Sequence, residues 1–231
     1  MTELAFSCSC SEERMLLREL NHRINNEFAS VINMVALAAV RSGNEEVKAA
    51  LDGVTERLHQ YVDVHRALKI PQPAARLDAA AHLRRLCQSI SRSKLDHMKI
   101  RLVLETCPLT MPSDRCWRLG MIVYELITNA ARHAFSNKEG EIRIELSRAG
   151  SLIQCRVLDN GSGSPTSQPG QGTKIVRYLA KELGGHIEHH FGPGGSTAIL
   201  VFTSTPKSRT AAVRQPLSRH VETTFLRPPA G

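Results

Sequence analysis

The sequence is poor in aromatic residues and has no long apolar run. Only 4% of its 231 residues are aromatic, and no apolar stretch approaches the roughly 20 residues that a membrane-spanning helix needs. The opening residues, MTELAFSCSCSEER, lack the basic start and apolar core of a secretory signal. We therefore expect a cytoplasmic protein without a membrane span.

The cysteines do not have the spacing of a zinc site. Cys8 and Cys10 are one residue apart, and no second cysteine pair stands at a zinc-like distance from them. Thiols in the cytoplasm stay reduced. The six cysteines therefore predict neither a disulfide framework nor a structural metal.

The positive charge is concentrated at the carboxyl end. Residues 206–231 hold five basic residues against one acidic residue, so half of the formal net charge of +8 lies there. This segment is rich in Pro, Ser and Thr and has no apolar period, which predicts a basic disordered tail over 205–231. The remaining charge is mild, and no nucleic-acid-binding motif is present, so we expect no nucleic-acid partner.

Two helical patterns follow a short segment, residues 1–10, that we expect to be disordered. Gly43 separates the patterns, which together predict a helical hairpin over 11–71. We expect the hairpin either to dimerise into a four-helix bundle or to pack on the next domain. The apolar positions of its two helices are Leu17, Leu20, Ile24, Phe28, Val31 and Val35, then Val47, Leu51, Val54, Leu58, Tyr61 or Val62, His65 and Leu68.

A histidine stands on the polar side of the first helix. At 100° per residue, His22 lies opposite the apolar position Leu20. Arg18, Asn25, Asn26 and Asn33 fall on the same polar side. The pattern therefore predicts that His22 is displayed to solvent and is not part of the core.

The chain from 75 to 204 predicts an α/β sandwich with helices on one face of a mostly antiparallel sheet, so the fold class of the whole chain is α+β. The predicted helices cover 78–92, 114–135 and 172–183. The predicted strands cover 99–105, 141–147, 152–158, and the hairpin formed by HIEHHF and TAILVFT.

One polar row follows the predicted helix 114–135. Glu125, Asn129 and His133 stand four residues apart and share one face. A carboxylate and an amide oxygen at this spacing can share a hard cation such as Mg²⁺. An ordinary solvated helix face would show the same row, so the row alone leaves both interpretations open.

Two glycine clusters frame the region after this helix. LDNGSG places Asp159, Gly161 and Gly163 directly after a strand. PGQGTKIV places Gly170 and Gly172 before a helix, where free backbone N–H groups favour anions and glycine lets a phosphate approach. Each cluster alone is a weak signal, but turns rarely produce both together with the polar row.

These segments resemble a known family. YELITNAARHAF, LDNGSG, GQGTKIVRYLAKELGG and GGSTAILVF resemble the N-box, the two glycine boxes and the last strand of the GHKL (Bergerat) ATP-binding domain. LLRELNHRINNEF resembles the H-box of bacterial two-component sensor histidine kinases, in the HWE-like subfamily where His-Arg-x-x-Asn replaces His-Glu. The resemblance covers roughly residues 12–203.

The resemblance implies a role for each matching residue. It makes His22 the phosphoacceptor, Asn129 the residue that binds Mg²⁺, and Asp159 the acceptor of a hydrogen bond from the adenine amino group. The other residues that it places around ATP are Glu125, His133, Gly161, Gly163, Gly170, Gly172, Thr173 and Thr197.

The sequence departs from the commoner kinases beside His22. Arg23 stands where those proteins keep a carboxylate that is a candidate base. Glu19, one turn earlier, is the nearest substitute. Arg23 can help to neutralise phosphate charge, and Asn26, four residues after His22, can orient the imidazole.

The resemblance implies ATP-dependent autophosphorylation on His22 and transfer to an aspartate of a response regulator receiver domain, with ATP and Mg²⁺ as cofactors. It also implies a homodimer. Only about ten residues precede the first helix, so a separate sensor protein is the expected source of a signal. Two alternatives remain: a histidine phosphotransfer adaptor with a degenerate ATP domain, and a GHKL serine kinase or ATPase.

Overall fold

The structure is a computed structural model that describes residues 2–69, 75–136, 138–162, 171–204 and 222–226. The chain divides into two compact units, Met1–Ile70 and Pro71–Gly231. Within the described residues, none of the helices combines the length and the apolar character needed to cross a membrane. The two units are considered separately below.

The first unit is the predicted helical hairpin. It consists of α1 (Thr2–Arg41) and α2 (Glu45–Ala67). Asn44 caps α2, because its side chain accepts hydrogen bonds from the backbone N–H groups of Glu46 and Val47. The Phe28 ring of α1 lies 6.2 Å from the His65 ring of α2, centroid to centroid.

The prediction of disorder over 1–10 is wrong for residues 2–10, which belong to α1. This stretch contains neither glycine nor proline, so nothing in it interrupts a helix that is already nucleated downstream.

The predicted apolar seams are only partly correct. Among the residues of this unit whose side chains the structure describes, the buried apolar ones are Ile32 and Ala39 of α1 and Val62 and Val64 of α2. Several predicted seam residues face solvent instead, with exposed fractions near one half. They are Leu20, Val31, Val47, Val54 and Tyr61. Each helix therefore presents apolar surface that its partner in the hairpin does not cover.

The second unit contains the predicted α/β sandwich. A six-stranded sheet has the order β6-β7-β5-β4-β2-β8; β2 and β4 run parallel and every other neighbouring pair is antiparallel. The elements are β1 (Arg76–Asp78), α3 (Ala79–Ile90), β2 (Ile100–Thr106), β3 (Thr110–Pro112), α4 (Ser113–His133), β4 (Gly140–Ala149), β5 (Leu152–Asp159), α5 (Gln171–Glu182), β6 (His186–Gly192), β7 (Gly195–Thr203) and β8 (Glu222–Leu226).

The two faces of the sheet differ in chemistry. Alternate residues of the central strands are buried, among them Ile144, Cys155 and Leu200, and they form the core together with apolar residues of the helices. The intervening positions carry ion pairs, such as Arg143 with Glu105 at 2.7 Å. One face of the sheet therefore packs against the core, and the other carries charge.

Three strands were not predicted. Among the described residues, β1 and β3 are three residues each and pair with each other. A strand of three residues is too short to show the alternation of apolar and polar residues from which strands are predicted. The prediction of a disordered tail over 205–231 is wrong for residues 222–226, because β8 pairs antiparallel with β2, from Leu102 opposite Leu226 to Thr106 opposite Glu222. The stretch ETTF of β8 consists mainly of good strand formers. Residues 205–221 and 227–231 lie outside the described part of the chain.

Candidate functional site

The polar row of α4 stands on a helix that is firmly anchored in the core. Glu125 and Asn129 are half-buried, and His133 is exposed at the end of the helix. At the start of the helix, the buried Arg115 donates through its guanidinium to the carbonyl oxygens of Leu183, at 2.9 Å, and Thr203. These contacts fix α4 against the end of α5 and against β7.

The first described turn of α5 lies against this row. A Cβ added at Gly172 would lie 2.7 Å from Glu125 Oε2 and 3.7 Å from Asn129 Oδ1. Only glycine allows the helix start to approach the two side chains this closely. Thr173 is half-buried and Lys174 is exposed in the same turn. The structure thus brings Glu125, Asn129 and Gly172 together, as one site requires.

The Asp159 carboxylate, at the end of β5, is buried and accepts three hydrogen bonds. Its Oδ1 accepts from the backbone N–H groups of Gly161 at 3.0 Å and Ser196 at 3.2 Å, and its Oδ2 accepts from the Ser196 hydroxyl. A carboxylate has about four acceptor positions. Among the described residues no donor takes the fourth, so Asp159 can accept one more hydrogen bond.

Ser196 is a residue that the sequence analysis missed. It contacts Asp159 from β7, and the predicted Thr197 is its neighbour, paired with Leu158 of β5. Side chains alternate along a strand, so Ser196 and not Thr197 faces the Asp159 carboxylate. The role predicted for Thr197 stays a prediction. Ser196 is 37 positions from Asp159 in sequence, and only the strand register distinguishes it from Thr197.

The packing of the protein requires glycine at position 161, independently of any ligand. A Cβ at this position would lie 2.3 Å from the backbone oxygen of Ala134, just after α4. The family resemblance places Gly161 around ATP, and the structure shows that Gly161 approaches Ala134 as closely as only glycine allows. Gly163 and Gly170, which the resemblance also places around ATP, lie outside the described residues.

The candidate phosphoacceptor is in the other unit. His22 is exposed on α1, as its position in the helix predicted, and Asn26 is exposed one turn later. Arg23 Nε donates to Glu19 Oε1 at 3.0 Å. The roles of these four residues stay predictions.

The second unit has the features that a nucleotide with a divalent cation would need. A carboxylate, an amide and a glycine-lined helix start lie together at one place, and an unfilled carboxylate acceptor position lies at the end of β5. The described residues hold no cluster of three His, Cys, Asp or Glu side chains suited to a metal.

Comparison with known families matches both units. A model of the family described as "Histidine kinase" matches residues 19–94. A model of the family described as "Histidine kinase-, DNA gyrase B-, and HSP90-like ATPase" matches residues 117–208. The second match contains the α4 row, Asp159 and the first turn of α5.

Individual relatives are distant but similar over most of this chain. Blue-light-activated histidine kinase 2 of Erythrobacter litoralis is 26% identical over 206 residues, which are 84% of this chain and 57% of that protein. The sensor histidine kinase PdtaS of Mycolicibacterium smegmatis is 28% identical over 197 residues, which are 80% of this chain and 38% of that protein. The chain therefore spans little more than half of the first relative and less than half of the second.

A solved structure has the same fold. The histidine kinase domain of the Erythrobacter litoralis blue-light activated kinase EL346 aligns with a TM-score of 0.54 at 22% identity, over 84% of this chain and 93% of that one. At this identity the likeness concerns the fold alone. With the two family matches in this order along the sequence, the chain belongs to the histidine kinases and combines a hairpin of the HWE type with a GHKL ATPase domain.

Proposed function

We propose that this protein phosphorylates itself on His22 from ATP and passes the phosphoryl group to an aspartate of a response regulator. The observation that carries the proposal is the position of Gly172 against Glu125 and Asn129. This arrangement brings the backbone N–H groups of a helix start close to an oxygen-rich pair of side chains. Phosphoryl transfer asks mainly for such positioning and for neutralised phosphate charge.

The described residues would contact the nucleotide at two places, its phosphates and its adenine. Asn129 would hold Mg²⁺ through its amide oxygen, with Glu125 beside it, and the bound ion would neutralise phosphate charge. Asp159 offers its remaining acceptor position to the adenine amino group, while Ser196 and Gly161 hold the carboxylate in place. Thr173 and the backbone N–H groups of the first turn of α5 would bind the phosphates.

His22 meets the requirements of an acceptor. Its side chain is exposed, and neutral imidazole is a competent nucleophile near neutral pH. Asn26 is on the same helix face and can orient the ring. Arg23 would contact the transferred phosphoryl group, and Glu19, the nearest carboxylate one turn before His22, would take the proton.

A dimer would cover the apolar surface left on the hairpin. Val47, Val54 and Tyr61 recur every seven residues along α2, and each is 45% exposed. A seven-residue apolar repeat is the pattern of a helical seam. We propose a second copy of this chain as the occupant, which gives the four-helix bundle. The receiver domain and a separate sensor protein are the other proposed partners, all of them in the cytoplasm.

One labelling experiment tests the function. The purified protein is incubated with γ-labelled ATP and Mg²⁺, and the label is tested for acid and base stability. We expect acid-labile, base-stable label that is absent from His22→Gln. Acid-stable label that survives His22→Gln would contradict the proposal and identify a serine kinase. Absence of label from ATP, with label accepted from a phosphorylated receiver, would instead identify a phosphotransfer adaptor.

A further inference from the structure

Asn160 connects the turn after β5 to the start of β4. The regular pairing of β4 with β5 ends at Ile142 opposite Asp159. One residue farther, the Asn160 N–H donates to the Glu141 carbonyl oxygen at 3.2 Å. The reciprocal donor, the Glu141 N–H, is taken by the Asn160 side-chain oxygen at 2.8 Å. The Asn160 side chain thus extends the hydrogen bonding between β4 and β5 by one residue pair, which backbone groups alone do not achieve.

The rest of this turn is fixed on other elements. The Ser162 N–H and hydroxyl both donate to the Ala134 carbonyl oxygen, at 2.8 and 3.2 Å, just beyond α4. The Gly161 N–H donates to Asp159 Oδ1. Successive residues of the turn are therefore fixed by β4, by the Asp159 carboxylate and by the end of α4.

There is little space for the turn to move on the β4 side. A Cβ added at Gly140 would lie 2.1 Å from the Phe135 ring and 3.0 Å from Asn160 Oδ1. The buried Phe135 ring and the Asn160 amide therefore both pack closely around Gly140. Loss of the Asn160 side chain removes one of the two hydrogen bonds that hold the turn on β4, and leaves the backbone bond to Glu141 and the Ala134 end attached.

We propose that Asn160 is a positioning residue that sets selectivity for adenine. By holding the turn on β4, it fixes the direction of the unfilled acceptor position of Asp159. A carboxylate fixed in this way accepts a hydrogen bond from an amino group at one place and repels a carbonyl oxygen there. The inference rests on the proposed nucleotide site and assigns Asn160 no contact with the nucleotide.

The test compares ATP with inosine triphosphate, which has a carbonyl group where adenine has its amino group. Dissociation constants of both are measured by calorimetry for the full chain with Mg²⁺. We expect wild-type protein to prefer ATP. In Asn160→Ala this preference falls by about fivefold, the factor that one lost neutral hydrogen bond gives. Asn160→Asp keeps an acceptor oxygen for the Glu141 N–H and should keep most of the preference.

Two controls separate positioning from a general loss of structure. Gln154→Ala removes a half-buried amide from β5, the strand before the turn, and should leave both the preference and the thermal midpoint unchanged. In nucleotide-free protein, amide exchange at Glu141 and Gly161 should accelerate in Asn160→Ala. If Asn160→Ala does not fold, Asn160→Gln moves the acceptor by one methylene and carries the same expectation.

The outcomes separate this inference from the proposed function. Wild-type binding of ATP with an unchanged preference in Asn160→Ala would overturn the inference alone. So would an Asn160→Asp variant that loses as much preference as Asn160→Ala. Wild-type protein that binds neither nucleotide would overturn both.

Discussion

Arg23 and Glu19 form an ion pair one helical turn apart on α1, with His22 between them in sequence. The Nε–Oε1 distance is 3.0 Å, and the two side chains are 73% and 60% exposed. An exposed pair of this kind contributes less than about 1 kcal/mol to stability. Substitutions of Arg23 or Glu19 should therefore leave the stability of the protein almost unchanged, so that a change in labelling reflects the chemistry at His22.

The first prediction concerns Glu19→Gln. If Glu19 accepts the proton of His22, the initial rate of labelling from γ-labelled ATP falls by about a hundredfold, within the range for general base catalysis. The helix should melt at an unchanged temperature by circular dichroism. Glu27→Gln, another exposed carboxylate change on α1, is the matched control. An unchanged rate in Glu19→Gln would show that the proton goes elsewhere.

Asn129→Ala should abolish labelling from ATP and leave transfer to His22 from a phosphorylated receiver intact. The amide oxygen that would hold Mg²⁺ is lost, whereas His22 lies in the other unit. Both reactions are followed by label on the same gel. Loss of both would mean that the variant unfolds or that the role assigned to Asn129 is wrong.

Gly172→Ala should weaken ATP binding by about tenfold without lowering the thermal midpoint. The added methyl would lie 2.7 Å from Glu125 Oε2, so the carboxylate must move away from the site. Alanine is the better helix former, so α5 itself loses nothing. Gly192→Ala is the control, since a Cβ there meets nothing within 4 Å. Equal ATP affinities in the two variants would contradict the prediction.

The second unit should lose stability in mild acid because of His82. Burial, and then the Arg85 charge, lower the pKa of His82 below its usual 6.5. Its Nε2 is buried and has no hydrogen-bond partner among the described residues, and it lies 2.7 Å from where a Cβ of Gly120 would be. The unfolded chain binds this proton more readily, so stability is complete above pH 6.5 and falls as the pH drops toward the lowered pKa.

Urea unfolding at several pH values between 5 and 7.5 measures this effect. In His82→Leu the dependence on pH should be smaller, because the group that gains a proton on unfolding is gone. His189, whose pKa is also lowered by burial and by Arg177, contributes in the same direction and remains in the variant. An identical pH dependence in the wild-type protein and in His82→Leu would refute the assignment.

Val54→Glu should convert the proposed dimer to a monomer. Val54 is the middle member of the seven-residue repeat on α2, and a carboxylate buried there without a partner is costly. Light scattering at fixed concentration measures the mass. Glu56→Lys changes charge at an exposed position on the opposite face and should leave the mass unchanged. A wild-type monomer would contradict the prediction directly.

Local patterns predicted most of the fold and the sequence positions of the site. The alternation in 141–147 and 152–158 and the helical period of 114–135 identify elements because one side of each meets the core. Asp159 and Gly172 stand out because glycine clusters follow or precede such elements. Ser196 and Asn160 could not be found in this way, because their importance depends on strand register and on a turn between distant segments.

The strand β8 has a practical consequence for anyone who expresses this domain as a fragment. The ATPase family match ends at residue 208, and a fragment cut there would keep every proposed nucleotide-binding residue. It would also leave β2 with an unpaired backbone edge, since Leu102–Thr106 pairs with β8 on that side. Open edges recruit strands from other molecules. Such a fragment should self-associate on concentration, and extending it through residue 226 should restore solubility.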